Sequence, residues 1–133
     1  MDNIQGLYYA FGQLAYAVAA ADGAIQQVER TALHKLLVEK FNNHNIDFDY
    51  SEIIFQILAK DHTKVNTAYE WAMREMKLNE YYLTEKKKKD FVDILQQIAS
   101  AKTPVTIDEK NIIDKFREDI APLKGDPVFT GEK

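Results

Sequence analysis

The chain has 133 residues, 46% apolar and 29% charged, with five glycines and three prolines, which is the composition of one globular domain. Its 17 lysines and arginines are outnumbered by 21 aspartates and glutamates, and the resulting net charge of −4 gives no basic footprint for DNA or RNA. Because cysteine is absent, a disulfide framework, a thiolate nucleophile and a cysteine-ligated zinc site are all excluded.

The first predicted helix is unusually apolar. Residues 3–21 carry no charge, and Leu7, Phe11 and Leu14 recur at the spacing of one helical face. The length of this segment suggests a membrane span or a signal peptide. However, the segment contains glutamines and many alanines, and the acidic Asp2 stands where a signal peptide has basic residues. These features favour a helix in the core. We therefore expect a cytoplasmic protein, and no sequence feature indicates membrane association.

The next segments alternate between helix and turn signals. Asp22-Gly23 ends the first helix, and a second helix is predicted over about 25–40. Residues 41–50 are rich in Asn and Asp, which predicts a loop of about ten residues. Asp49 and Glu52 resemble an N-cap with its reciprocal acid, so a short helix should begin there. The residues expected to face inward on it are Ile53, Ile54, Ile57 and Leu58.

Three more helices follow in the second half of the chain. One covers about 64–80, the next is capped by Thr84, and the last begins with a capping box made by Thr106 and Glu109. The four lysines from Lys86 to Lys89 step around their helix, since successive residues are about 100° apart, and predict a solvated helix start.

These elements predict the fold class and the domain limits. No run of alternating residues supports a strand, so we expect an all-α, single-domain bundle of about five to seven helices over residues 1–123. Residues 124–133 contain Pro and Gly without periodicity and are expected to form a loosely ordered tail.

The chain also matches itself at an offset of 80 residues. The match runs through both helices of a helix-turn-helix unit and through the turn between them, which predicts two related hairpins packed about an approximate twofold axis. Residues 50–82 would then connect the hairpins. The matched pairs include Phe11 and Phe91, Leu14 and Ile94, Val18 and Ile98, Glu29 and Glu109, and Leu33 and Ile113.

The motif A-x-A-D-G-x-I-x-x-x-E at Ala19–Glu29, with its degenerate copy at 99–109, resembles the signature of TerB-like domains. These bacterial all-α domains are linked to tellurite resistance and stress response. The resemblance implies a non-enzymatic module that docks an unidentified protein partner. It also implies divalent-metal binding, which it extends to Asp22 and Glu29 only, because Lys102 and Thr103 replace the Asp-Gly in the second copy.

The positions of Asp22 and Glu29 in the sequence also favour a metal site, independently of the resemblance. Asp22 stands at the carboxyl end of a helix, where the dipole disfavours a negative charge by roughly 0.3 to 1 kcal/mol, and Glu29 shares a face with the apolar stripe. They flank one turn and can converge on Ca²⁺, Mg²⁺ or Mn²⁺. The alternative is structural: Glu29 caps its helix, and Asp22 accepts the amides of the turn. No other cofactor is expected.

Competing functions have weaker support in the sequence. An EF-hand calcium loop would need carboxylates where Val18 and Ala20 stand. His34, His44 and His62 lie in separate segments without the spacing of a metalloenzyme. A hydrolytic enzyme would need a pocket in which two carboxylates, or a carboxylate and a histidine, converge, and the sequence shows no such pair beyond Asp22 and Glu29. The main alternative is a pure interaction scaffold that binds no metal.

A metal titration tests the predicted site. If Asp22 and Glu29 hold a cation, millimolar Ca²⁺, Mg²⁺ or Mn²⁺ should raise Tm, because a ligand that binds only the folded state adds to its stability. Two carboxylates with turn carbonyls and water make a weak site, so we expect a Kd of about 0.1 to 1 mM. The double variant Asp22→Asn, Glu29→Gln should lose the rise in Tm. A wild-type Tm that none of the three ions moves would contradict the site.

Overall fold

The computed structural model of the chain describes residues 4–21, 31–35, 45–100 and 105–125, the side chains of 45–49 excepted. All regular structure in these ranges is helical, which confirms the all-α helical bundle. The helices are α1 (Ile4–Ala19), α2 (31–35), α3 (Asn45–Asp61), α4 (Val65–Leu78), α5 (Glu85–Ser100) and α6 (Ile107–Ile120), with a short 3₁₀ turn at Glu80–Tyr82.

Helix α1 lies at the centre of the bundle. Thirteen of its sixteen residues are buried, because α3 and α4 pack along it and α5 and α6 also contact it. A helix covered on all sides has to be apolar all round, which explains the long uncharged segment. Within the described ranges, no helix combines the length and the apolarity that crossing a membrane requires.

The start of α3 differs from the prediction. The helix is already formed at Asn45, so the loop predicted over 41–50 is wrong for its second half, and Asp49 lies inside the helix rather than at its N-cap. Acidic residues are favourable in the first turns of a helix because they face the positive end of its dipole. The Asn and Asp residues that suggested a loop are therefore compatible with a helix start.

The inward face of α3 was also predicted in the wrong register. Ile54 and Leu58 are buried as expected, but Ile53 is 58% and Ile57 47% exposed, and Phe55 is fully buried. The segment is apolar at five of six consecutive positions, so its sequence leaves the buried face open. Packing against α1 selects Ile54, Phe55 and Leu58.

The local predictions for α5 and α6 are confirmed. The backbone N–H of Lys87 donates to Thr84 Oγ1 at 3.2 Å, and Thr106 and Glu109 form the complete capping box. The three- and four-residue spacing of apolar residues predicts one core-facing stripe on each helix. The residues of these stripes are buried at Phe91, Ile94, Leu95 and Ile98 on α5 and at Ile113, Phe116 and Ile120 on α6, whereas Ile112, also predicted to face the core, is half-buried.

Two aromatic side chains at matched positions of the repeat meet where α1 crosses α5. The rings of Phe11 and Phe91 stack at 4.6 Å between centroids, with 17° between their planes. Residues related by a twofold axis come face to face near that axis, so this contact fits the predicted symmetry. The turn of the first hairpin, residues 22–30, lies outside the described residues, and the match of the two turns stays a prediction.

A phenol joins α6 to α4. Tyr69 Oη donates to Asp119 Oδ2 at 2.5 Å, and the Lys115 ammonium lies 4.5 Å from the Tyr69 ring centroid. Burial, and after it the hydrogen bond to Asp119, raise the pKa of Tyr69 above its ordinary value. The phenol therefore keeps its proton, and with it this hydrogen bond, above the pH at which a free tyrosine ionises.

The chain beyond α6 folds back across the α4–α5 connection. The backbone N–H of Lys124 donates to Glu80 Oε2 at 3.0 Å, and Gly125 lies against the backbone of Leu83. Residues 126–133 lie outside the described residues, so the tail predicted over 124–133 stays a prediction.

Helices α1 and α3 approach each other closely at Gly12. A Cβ at this position would lie 2.2 Å from Ile54 Cγ2 and 2.4 Å from the Ser51 carbonyl oxygen. The Ser51 hydroxyl donates to the Tyr8 carbonyl oxygen at 2.6 Å, in the same buried contact. Gly12 is thus required by the close approach of the two backbones.

A substitution at Gly12 tests this contact, because the sign of the change in unfolding free energy depends on whether there is room for a side chain. At a helix position with free space, glycine to alanine stabilises by roughly 0.5 to 1 kcal/mol. Here Gly12→Ala should instead lower the free energy of unfolding by about 1 to 3 kcal/mol, because the clash with Ser51 forces α3 outward. The measurement is urea unfolding of the variant against wild type.

The background variant Ile54→Ala controls for the side-chain part of the clash. It removes Ile54 Cγ2 but leaves the Ser51 carbonyl in place, so Gly12→Ala should remain destabilising in that background. A stabilising effect of Gly12→Ala in either background would contradict the close approach.

Candidate functional site

The predicted metal ligands Asp22 and Glu29 lie outside the described residues, and the site stays a prediction. Within the described ranges, no three His, Cys, Asp or Glu side chains are grouped so that they could hold a metal ion. His34 and His62 lie on different elements, and His34 Nδ1 contacts Glu52 Oε1 at 2.7 Å, which joins α2 to α3.

The second repeat shows how a glutamate at the position equivalent to Glu29 is used as a cap. Glu109 is fully buried, and its Oε1 accepts from the backbone N–H of Thr106 at 3.1 Å and from Thr106 Oγ1 at 3.0 Å. Thr106 corresponds to Gln26 in the first repeat, and glutamine is a poor N-cap residue. The capping explanation is thus demonstrated for Glu109 and lacks its partner residue at Glu29.

A groove lies between α5 and α6. It consists of two cavities of about 480 and 440 Å³, and Arg117 lines both of them, so they adjoin. We refer to it as the α5–α6 groove. The first cavity is lined by Gln96, Ala99, Ser100, Val105, Lys110, Ile113, Asp114 and Arg117, and the second by Glu85, Lys88, Lys89, Val92, Asp93, Arg117, Ile120 and Ala121.

The groove has an apolar floor and a charged rim. Val92 and Ala99 contribute from α5, and Ile113 and Ile120 from α6, each pair one heptad apart and hence on one helical face. Val92 is half-buried, whereas the other three residues are buried and form the base of the groove as part of the core. Lys88, Lys89, Lys110 and Arg117 provide positive charge against the acidic Glu85, Asp93 and Asp114. This surface combines apolar contact with charges of both signs.

Arg117 is the rim residue that lines both cavities. Lys88 is already paired, since its ammonium lies 3.0 Å from Glu85 Oε2. The guanidinium of Arg117, in contrast, makes no hydrogen bond or ion pair with the residues that the structure describes. A guanidinium at the junction of two cavities can bind a carboxylate with two parallel hydrogen bonds.

The structure corrects the prediction that the four lysines at the start of α5 are all solvated. Lys86 and Lys89 are exposed, but Lys87 is 5% and Lys88 8% exposed, so a fully solvated helix start is wrong. Lys87 Nζ donates to Tyr8 Oη at 2.8 Å. Long lysine stems cover apolar surface while the ammonium finds a polar partner.

Sequence reasoning found parts of the α5–α6 groove but not the groove itself. The stripe on α6 was predicted through Ile113 and Ile120, whereas Val92 was not singled out. A spacing of seven residues between Val92 and Ala99 was the available signal. Whether two such stripes line one groove depends on how α5 and α6 pack, which no local pattern contains.

Comparison with protein-family models finds no match, and no curated protein or solved structure is significantly similar to the chain.

Proposed function

We propose that this chain is a non-enzymatic, TerB-like interaction module that docks a protein partner in the α5–α6 groove. The observation that carries the proposal is the pair of adjoining cavities along one helix hairpin, with an apolar floor and with Arg117 between them. Cytoplasmic location and a role in stress response belong to the same proposal, from the cysteine-free composition and the motif at Ala19–Glu29.

The shape of the groove supports a polypeptide ligand. Its lining extends from Glu85 to Ser100, the whole of α5, which is about 22 Å at 1.5 Å per residue. Recognition of a peptide by a helical groove uses an apolar floor for affinity and charged edges for orientation. Both features are present here, and they run the length of the hairpin.

Binding of a divalent cation at Asp22 and Glu29 is the second candidate function. What favours it is the contrast between the repeats: Glu109 has Thr106 as its capping partner, whereas the corresponding residue in the first repeat is Gln26. A metal there and a partner in the groove are independent of each other. If the metal site fails its titration, a scaffold without metal remains.

Site-specific photo-crosslinking tests the docking proposal with a matched pair of positions. Gln96 and Gln97 are neighbouring exposed residues of α5, but Gln96 lines the groove and Gln97 does not. A photoreactive phenylalanine analogue at Gln96 should crosslink the chain to another protein in cells that express it. The same analogue at Gln97 should give several-fold less product.

The variant Arg117→Glu provides the second arm. It reverses the charge at the junction of the cavities and should reduce crosslinking from position 96. Equal crosslinking from positions 96 and 97, or none from either, would contradict docking in the α5–α6 groove.

A further inference from the structure

In the first repeat, the groove between α1 and α2 is filled by α3. Ser51 of α3 donates to the carbonyl oxygen of Tyr8, and its backbone lies against Gly12. The rings of Tyr16 and Phe55 meet edge to face at 6.2 Å between centroids. Glu52 of α3 contacts His34 of α2. Helix α3 is therefore held by both helices of the first hairpin.

The four residues of the first hairpin that contact α3 have equivalents in the second hairpin. Adding 80 to the four residues that hold α3, namely Tyr8, Gly12, Tyr16 and His34, gives Lys88, Val92, Gln96 and Asp114. All four of these line the α5–α6 groove. The groove that is filled in the first repeat is thus open in the second, at equivalent positions.

We infer that the α5–α6 groove receives an amphipathic α-helix of a partner protein, in the place that α3 takes in the first repeat. The inference rests on the proposed docking function and adds the conformation and the chemistry of the docked segment. It also explains the open groove: the second hairpin keeps the shape of a helix-binding pair, and among the described helices none takes the place that α3 has in the first repeat.

The differences between the two grooves predict the side chains of the docked partner helix, which we call the guest helix. Asp114 stands where His34 meets Glu52, so the guest should carry a lysine or arginine where α3 carries Glu52. Val92 replaces Gly12, so a smaller residue is needed where α3 has Ile54. Arg117 adds a site for a carboxylate. The groove therefore selects a helix with a cation and an acid about one turn apart, since Asp114 and Arg117 are three residues apart on α6.

A synthetic peptide of residues 45–61, the sequence of α3, provides the probe. One version carries Glu52→Lys and Ile54→Ala to match the groove, and the other carries Ile54→Ala alone. Each is titrated onto the isotope-labelled full chain and followed by NMR. The Glu52→Lys peptide should bind more tightly by about three- to tenfold, because it replaces a repulsion at Asp114 by an ion pair.

A charge swap on the chain makes the test specific. In the Asp114→Lys chain the preference should reverse, and the peptide that keeps Glu52 should bind more tightly. Asp114→Asn should abolish most of the preference. Glu118→Lys is the matched control, since Glu118 is exposed on the same helix outside the groove and should leave the preference unchanged.

The location of the NMR shifts and the state of the peptide complete the test. Binding should shift the amides of Lys88, Val92 and Gln96, and the peptide should gain helical circular dichroism. Shifts centred on Tyr8 and Gly12 would mean that the peptide competes with α3, and they would overturn the inference. No preference, or one that does not reverse with Asp114→Lys, would overturn it as well.

Two outcomes separate this inference from the docking function. Crosslinking from Gln96 together with failure of both peptides would leave the docking function standing and remove the helical guest. Concentration-dependent dimerisation that Arg117→Glu abolishes, measured by sedimentation without peptide, would assign the groove to a second copy of this chain and overturn a guest from another protein.

Discussion

The burial of α1 on every side is the constraint on which the rest of the structure depends. A helix with neighbours all round cannot carry charge without a buried partner, and α1 carries none. Its polar contacts come from other elements: Ser51 reaches the carbonyl oxygen of Tyr8, and Lys87 reaches the Tyr8 hydroxyl. The stack of Phe11 on Phe91 fixes the crossing with α5. The apolar helix α1 thereby positions the outer helices.

The two repeats share one sequence pattern, but the groove between their helices is filled in the first and open in the second. Gly12 lets the backbone of α3 come close to α1, and the groove of the first hairpin is closed by the chain itself. Val92 holds that position in the second hairpin, where the added side chain keeps a guest helix further out. One groove therefore contributes to stability, and the other is left as a surface. The functional proposals follow from this broken symmetry.

Features that depend on local chemistry could be predicted from the sequence. The caps at Thr84 and Thr106 involve residues three positions apart, and the structure has both. The register of α3 could not be predicted, because Ile53 and Ile54 are equally apolar and only contact with α1 distinguishes them. Burial of Lys87 depends on Tyr8, 79 residues away. The groove depends on the packing of two helices, so its residues could be predicted only in part, and Asp22 and Glu29 remain predictions.

Native-state hydrogen exchange tests the central claim most directly, because it compares the filled and the open groove within one molecule. After correction for intrinsic rates, the amides of Gly12 and Tyr16 should exchange only through global unfolding. Their counterparts at Val92 and Gln96 should exchange at least about tenfold faster through local opening, since one side of α5 faces solvent. Equal protection at the two pairs of positions, or faster exchange in α1, would contradict the account of a central helix covered by α3 and an open groove beside α5.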